Sequence, residues 1–135
     1  MREGVEKVSM GEGRSAKKIL IVDDESDFIE IMKARLEKEG YKVEGITDPS
    51  EARWVMRSAP PDLVVLDLNM PGQTGFELLT SLPRQIGAKR IFILVFTARH
   101  NPDDEADVMA LGADGFFLKA TDDRALIEKI SELLD

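Results

Sequence analysis

Five side chains that could do chemistry together each follow an apolar run of the sequence. These residues are Asp23, Asp24, Asp67, Thr97 and Lys119. Three carboxylates in one crevice repel each other and raise at least one pKa unless a cation joins them. Mg²⁺ is the natural cation, because it takes oxygen ligands and keeps waters that a phosphate can displace. With the lysine ammonium as a second positive charge, the group would suit an incoming phosphoryl group, which a carboxylate could accept as aspartyl-phosphate.

The apolar runs that precede these residues predict buried β-strands, because they are short and rich in β-branched residues. Strands are predicted at 18–22, 41–46, 63–66, 91–96 and 116–118. Apolar residues return at helical spacing after each strand, which predicts five helices. This alternation favours a parallel sheet covered by helices on both faces. Because ligands bind outside the carboxyl ends of such strands, the five side chains should meet at one edge of the sheet.

Two packing predictions concern individual helices. Trp54, on the second helix, is expected to be half-buried in the core rather than to anchor a partner. Ala106, Met109 and Ala110 are expected to share the apolar face of the fourth helix, where the helical spacing is weak.

Length and composition narrow the classes of protein. The chain has 135 residues, enough for one domain, which we predict over 17–135 after a flexible tail at 1–16. Its net charge of −8 argues against direct binding of nucleic acid or of an anionic membrane. Cysteine is absent, and the longest apolar run, 91–96, is too short to span a bilayer. A soluble, cytoplasmic domain is therefore expected.

Four motifs, each at a predicted strand end, resemble those of receiver domains of two-component response regulators. The motifs are Asp23-Asp24, then Asp67-Leu68-Asn69-Met70-Pro71-Gly72 with Gly75, then Thr97-Ala98, and finally Lys119. Each motif alone is weak, but all four in this order are specific, and the resemblance covers 17–135. It implies an α/β, flavodoxin-like, doubly wound sheet of five parallel strands in the order 2-1-3-4-5, as in the single-domain chemotaxis regulators.

The resemblance also implies a set of residues for the phosphoryl group and its metal. Asp67 would be the phosphoacceptor. Asp24 and Asp67 would bind Mg²⁺ directly, Asn69 would bind it through its backbone carbonyl, and Asp23 would act mainly through water.

A second set of residues would read the phosphorylated state. Lys119 would pair with phosphoryl oxygens, and Thr97, with Ala98 beside it, would turn its hydroxyl toward one of them. Phe116 holds the position of the family's switch aromatic and would move inward as Thr97 moves. A phosphoryl group brings about −1.5 to −2 charges and three strong acceptors, which order nearby donors.

The resemblance implies partners as well. A sensor histidine kinase or a phosphotransfer protein would supply the phosphoryl group, and an unknown downstream protein would be the target. Output would pass through the surface of the fourth helix, fifth strand and fifth helix. The protein would not be an enzyme beyond its own phosphorylation and slow autodephosphorylation.

Three residues depart from the family's pattern. Ala120 stands where proline commonly follows the lysine, and a cis Lys119–Ala120 bond would cost about 2.5–4 kcal/mol. We therefore predict a trans bond, or else a strained cis one. Phe116 replaces the frequent tyrosine, so that the switch would act through packing alone. Arg99 places a cation at the rim, where it could contact a phosphoryl oxygen or shape the access of water.

Two other functions stay open at this point. A phosphohydrolase working through aspartyl-phosphate would need Asp-x-Asp, but Asn69 holds the second position and cannot protonate a leaving group. A non-phosphorylated pseudo-receiver that only binds partners is the other alternative, for which Phe116 and Ala120 leave room.

Overall fold

A sheet of five parallel strands forms the centre of the fold in the computed structural model, which describes residues 17–70, 74–98 and 101–135. The strands are β1 (Lys18–Val22), β2 (Lys42–Ile46), β3 (Leu63–Leu66), β6 (Phe92–Thr97) and β7 (Gly115–Leu118). Their order across the sheet is β2-β1-β3-β6-β7. This order is the predicted 2-1-3-4-5 arrangement of a doubly wound fold, so the predicted fold class is confirmed.

Five helices connect the strands and cover both faces of the sheet. They are α1 (Ser26–Lys38), α2 (Ala52–Ser58), which follows a 3₁₀ turn at Pro49–Glu51, α3 (Gly75–Ser81), α4 (Asp104–Ala110) and α5 (Asp123–Leu134). Alternate residues of β1 point to opposite faces, because side chains alternate along a strand. Ile19 and Ile21 pack with α1 and α5, whereas Leu20 and Val22 pack with α2, α3 and α4.

The middle strands explain the continuous apolar runs of the sequence. Four of the five residues of β1, all four of β3 and five of the six of β6 are buried. Strand β2 lies at an edge and exposes Lys42 and Gly45. Parallel pairing of Val22 with Leu66, and of Leu66 with Val95, brings the carboxyl ends of β1, β3 and β6 into line.

A short antiparallel hairpin was not predicted from the sequence. Strands β4 (Gln85–Ile86) and β5 (Lys89–Arg90) pair between α3 and β6. The turn includes Gly87 at φ +62°, a conformation that glycine adopts without the steric cost of a side chain. Strands of two residues are too short to produce the alternation by which strands are recognised.

Both packing predictions for individual helices are wrong. Helix α2 turns Ala52, Val55 and Met56 inward, which leaves Trp54 on the outer side with 72% of its surface exposed.

Helix α4 buries Val108 and Asp104 rather than the predicted face of Ala106, Met109 and Ala110. Met109 is 45% exposed. The Asp104 carboxylate accepts a hydrogen bond from the Asn101 N–H at 2.7 Å, so the buried face contains a polar group that apolar spacing does not detect.

None of the helices in the described parts of the chain has the length and apolar character needed to cross a membrane. The predicted flexible tail at 1–16 lies outside the described residues.

Candidate functional site

Three carboxylates meet at the carboxyl edge of the sheet. Asp23 follows β1 and Asp67 follows β3, and the Asp67 N–H donates to the Val22 carbonyl at 3.0 Å, which continues the strand pairing. Oxygens of Asp23, Asp24 and Asp67 all lie within 4.8 Å of one another. Asp23 is 1% exposed and Asp67 4%, whereas Asp24 faces solvent. The predicted acids are therefore together, two of them buried.

Lys119, which follows β7, reaches all the way into this group. Its Nζ lies 2.7 Å from Asp23 Oδ2, 3.3 Å from Glu25 Oε1 and 3.7 Å from Asp67 Oδ2. The ammonium also lies 4.1 Å from the centroid of the Phe28 ring, a favourable cation–π distance. Only 10% of the lysine side chain is exposed. The arrangement holds one largely buried cation among several acids.

The protonation of the site reflects this crowding. Burial raises the pKa of Asp23 to about 6, against the hydrogen bond from Lys119, which lowers it. Burial also raises the pKa of Asp67, although the charge of Lys119 and the Asn69 N–H oppose it. For Lys119, burial alone would lower the pKa, but its hydrogen bond to Asp23 and the nearby carboxylates leave that pKa above its ordinary value. Burial therefore favours the neutral forms of Asp23 and Asp67, and the Lys119 ammonium opposes this by favouring their charged forms.

Thr97 closes the other side of the site at the end of β6. It is fully buried, and its Oγ1 accepts a hydrogen bond from Asn69 Nδ2 at 2.8 Å. The Asn69 N–H in turn donates to Asp67 Oδ1 at 3.3 Å. Asn69 therefore connects the Asp67 carboxylate to the Thr97 hydroxyl.

The loop after β3 is held close to the strand by Gly75. The Gly75 N–H donates to the Leu68 carbonyl at 3.0 Å, and a Cβ at this position would collide with the Asp67 carbonyl. Thr74 and Glu77 then cap α3 reciprocally, each side chain accepting from the other's backbone N–H. These contacts fix the path of the chain next to Asp67. Pro71 and Gly72 of the motif lie outside the described residues, as does Arg99.

An open cavity of about 190 Å³ lies over the acids. It is lined by Asp24, Glu25, Asp67, Asn69, Ala98 and Lys119. Its donor set is mainly carboxylate oxygen, and the acids outnumber the single lysine. A hard divalent cation such as Mg²⁺ fits this chemistry, because it prefers oxygen ligands and would offset the excess negative charge.

Phe116 lies at the far edge of the sheet from β2. It pairs with Val95 in the register of β6 and β7, and it is half-buried against the core cluster of α2, α3 and α4. Phe116 therefore lies on the face of the sheet that α2, α3 and α4 cover.

Sequence reasoning missed two residues that contact the lysine. Glu25 follows the aspartate pair directly, and Phe28 lies three residues further along, in the first turn of α1. Nothing in the residue type of either marks it as part of the site. Their contacts depend on the path of Lys119 across the start of α1.

The predicted trans bond at Lys119–Ala120 is confirmed, since every peptide bond of the described residues is trans. Ala120 instead has φ +70°, and it is the one non-glycine residue with positive φ in the described parts of the chain.

Comparison with known proteins identifies the chain. The family model of the response regulator receiver domain matches residues 19–131. The chain belongs to this family. As a receiver domain it is a signalling module of two-component systems, in which response regulators work with histidine kinases or phosphotransfer proteins.

Curated relatives are longer than this receiver domain. The response regulator GtcR of Aneurinibacillus migulanus is 34% identical over 104 residues, which cover 77% of this chain and 42% of that protein. The two-component response regulator PhoP of Pseudomonas aeruginosa is 33% identical over 117 residues, covering 87% and 51%. The receiver thus spans about half the length of these relatives.

Solved structures agree on the fold. The chemotaxis protein CheY4 of Vibrio cholerae superposes with a TM-score of 0.77 at 30% identity, covering 87% of this chain and 98% of that one. The BeF₃-activated N-terminal receiver domain of RstA from Klebsiella pneumoniae gives a TM-score of 0.78 at 26% identity, covering 87% and 98%. The predicted family is confirmed.

Proposed function

We propose that this receiver domain is a phosphorylatable switch that accepts a phosphoryl group on Asp67. The observation that carries the proposal is the buried carboxylate of Asp67 beside both Asp23 and the Lys119 ammonium, open to a cavity of about 190 Å³. When phosphohistidine is the donor, an Asp67 carboxylate oxygen would form a bond to phosphorus as the P–N bond of the donor breaks. The electron pair would return to the imidazole nitrogen, which then takes a proton from solvent.

Mg²⁺ is the proposed cofactor. Asp24 and Asp67 would hold it directly, Asn69 through its backbone carbonyl, and Asp23 mainly through water. The ion would supply charge neutralisation for the incoming phosphoryl oxygens, which carry most of the developing charge in such transfers.

Lys119 and Thr97 are proposed to donate hydrogen bonds to the phosphoryl oxygens after transfer. Lys119 Nζ is already 3.7 Å from Asp67 Oδ2, so that a small movement would exchange an acid for a phosphoryl oxygen as its partner. The Thr97 hydroxyl would turn away from Asn69 and donate to another phosphoryl oxygen. Ala98 lines the cavity next to it, and its small side chain leaves room for the phosphoryl group. Phe116 would follow Thr97 inward, and the change would be read on the surface of α4, β7 and α5.

A histidine kinase or phosphotransfer protein is the proposed donor, and a protein that recognises the α4–β7–α5 surface is the proposed target. The net charge of −8 supports a domain that does not itself bind nucleic acid. We further propose that the domain occupies residues 17–135. The complete set of acids and lysine favours this function over a pseudo-receiver, which would have no need for it.

Beryllofluoride, which mimics a phosphoryl group on a carboxylate, tests the proposal without turnover. In ¹H–¹⁵N spectra with Mg²⁺ present, its addition should shift the amides of Thr97, Phe116 and Lys119 in the wild type. The same addition to Asp67→Ala should leave them unmoved. A wild-type spectrum that does not respond would support the pseudo-receiver instead.

A further inference from the structure

Ala120 has a backbone conformation that its residue type disfavours. At φ +70° it lies in the left-handed region, where the Cβ of a non-glycine residue crowds the backbone. Residues held in this way persist only when their surroundings impose the conformation, and they concentrate at functional sites. Ala120 directly follows the lysine of the acidic site, which raises the question of what holds it there.

The Asp123 carboxylate is the group that holds Ala120. The Ala120 N–H donates to Asp123 Oδ1 at 2.7 Å, a short bond to a charged acceptor. The loop is closed further by Asp122, whose carboxylate accepts from the Leu118 N–H at 2.9 Å and whose own N–H donates to the Leu118 carbonyl at 2.8 Å. The chain between β7 and α5 is therefore held by two adjacent aspartates.

Lys119 lies inside this closed loop. Its N–H donates to the Thr97 carbonyl at 2.9 Å, which fixes the residue on the side of the strand. On the side of α5, the conformation of Ala120 determines the direction in which the backbone leaves Lys119. The side chain that leaves between these two fixed points ends 2.7 Å from Asp23. A change in the backbone at Ala120 would therefore move the starting point of the lysine side chain.

The same Asp123 carboxylate also contacts α1. Its Oδ2 lies 3.5 Å from Arg35 Nη1, and α1 carries Phe28, over whose ring the Lys119 ammonium lies. Asp123 thus joins the backbone beside Lys119 to the helix that supports the far end of its side chain.

We propose that Asp123 is a positioning residue for Lys119: by holding the Ala120 N–H, it imposes the left-handed backbone that directs the ammonium into the acidic site. The inference rests on the proposed function, since its consequence is the rate at which Asp67 is phosphorylated. Asp123 itself does not touch the reacting atoms.

Three single variants separate the hydrogen bond between Ala120 and Asp123 from the ion pair between Asp123 and Arg35. For each variant, the rate of phosphorylation by acetyl phosphate in the presence of Mg²⁺ is measured by intact-mass spectrometry. Asp123→Ala removes the acceptor and should slow phosphorylation about tenfold, the size expected for one hydrogen bond to a charged group. Asp123→Asn keeps an oxygen for the Ala120 N–H and should stay within about twofold of the wild type. Arg35→Ala removes only the ion pair to α1 and should also stay near the wild type.

A double variant distinguishes positioning from a general loss of structure. If Asp123 acts through Lys119, then Asp123→Ala should have no further effect on the residual rate in a Lys119→Ala background. A variant that merely loosened the domain would slow both backgrounds equally. Thermal unfolding of each variant confirms that the proteins compared are folded.

The outcomes separate the two proposals. Equal rates for the wild type and Asp123→Ala, or equal slowing in both lysine backgrounds, would overturn the positioning role and leave the phosphoacceptor proposal intact. A rate for Asp123→Asn as low as that of Asp123→Ala would also overturn the positioning role. A wild-type protein that takes up no phosphoryl group would overturn both.

Discussion

At the amino edge of the sheet, two half-buried carboxylates each have donors and a cation as partners. Asp62, which precedes β3, accepts a hydrogen bond from the Lys18 N–H at 2.8 Å and lies 3.4 Å from Lys89 Nζ. Asp114, which precedes β7, accepts from the Ile93 N–H at 2.9 Å and pairs with Arg90 at 3.0 Å. At the carboxyl edge, by contrast, the Lys119 ammonium is shared by three carboxylates, those of Asp23, Glu25 and Asp67.

The difference shows what each edge does. Pairing at the amino edge satisfies backbone donors and fixes the starts of the strands, which is a contribution to stability. Among the described residues, the carboxyl edge brings Asp23, Asp24 and Asp67 together with the single cation Lys119, a charge balance that suits the proposed Mg²⁺ and phosphoryl group. In the proposed function, the same residue type therefore serves folding where it precedes a strand and chemistry where it follows one.

The largest expected effect comes from removing the ammonium at the reactive edge. Lys119→Ala should slow phosphorylation of Asp67 by roughly 100-fold, the magnitude seen when one preorganised charge-stabilising donor is lost. Lys89→Ala removes a lysine that pairs with an aspartate at the amino edge, and its rate should equal that of the wild type. Time courses with acetyl phosphate check both. Similar losses in the two variants would mean that the two edges do not differ in their role in phosphorylation.

The affinity for Mg²⁺ should depend on pH because burial raises the pKa of Asp23 and of Asp67. The pKa of Asp23 is raised to about 6, so below this pH a proton occupies the carboxylate and competes with the ion. We expect Mg²⁺ to bind about tenfold more weakly at pH 5 than at pH 7 and to release a proton on binding at pH 5. Calorimetric titrations in two buffers measure both quantities. Equal affinity for Mg²⁺ at pH 5 and pH 7 would mean that the proton on Asp23 does not compete with the ion.

The same raised pKa has a consequence for the metal-free protein. Because the folded state holds the Asp23 proton more tightly than the unfolded state, this carboxyl lowers the free energy of unfolding as the pH rises from about 4 to about 6. Added Mg²⁺ should therefore raise the melting temperature more at pH 7 than at pH 5, as thermal scans can show. A larger rise in melting temperature at pH 5 than at pH 7 would mean that Asp23 is not the group whose ionisation destabilises the metal-free protein.

A smaller effect is expected at the amino edge. Asp62→Ala leaves the Lys18 N–H without its acceptor and should lower the free energy of unfolding by about 1 kcal/mol. Phosphorylation should proceed at the wild-type rate. Urea denaturation measures the first quantity and intact mass the second. Loss of phosphorylation without loss of stability would reverse the roles given to the two edges.

The smallest effect concerns an exposed pair. Arg90 is 65% exposed where it meets Asp114, and it also lies 4.5 Å from the centroid of the Phe92 ring. Arg90→Ala should cost only about 0.5 kcal/mol in urea denaturation, as exposed ion pairs do. A loss several times larger would mean that the pair is part of a network.

The sequence predicted the parts of this molecule that follow from position along a strand. Asp23, Asp67, Thr97 and Lys119 each end an apolar run, and parallel strands bring such ends to one edge, so that their proximity followed from the pattern. Glu25 and Phe28 could not be found in the same way. Their contacts with Lys119 depend on where a long side chain runs in space, and no periodicity encodes that path.

Surface features were predicted least well. Trp54 was expected to be half-buried because of its residue type, but a seven-residue helix has room to bury only one side, and Ala52, Val55 and Met56 occupy it. The left-handed Ala120 was equally out of reach, since alanine gives no signal for positive φ and the conformation is imposed by Asp123 from outside.

Whether Asp67 accepts a phosphoryl group is tested by intact-mass spectrometry after incubation with acetyl phosphate, with and without Mg²⁺, on the wild type and on Asp67→Ala. We expect the wild type to gain one phosphoryl group only when Mg²⁺ is present and the variant to gain none. An equal gain by Asp67→Ala would contradict the assignment of the acceptor, and no gain by the wild type at long incubation with Mg²⁺ would contradict the phosphorylatable switch itself.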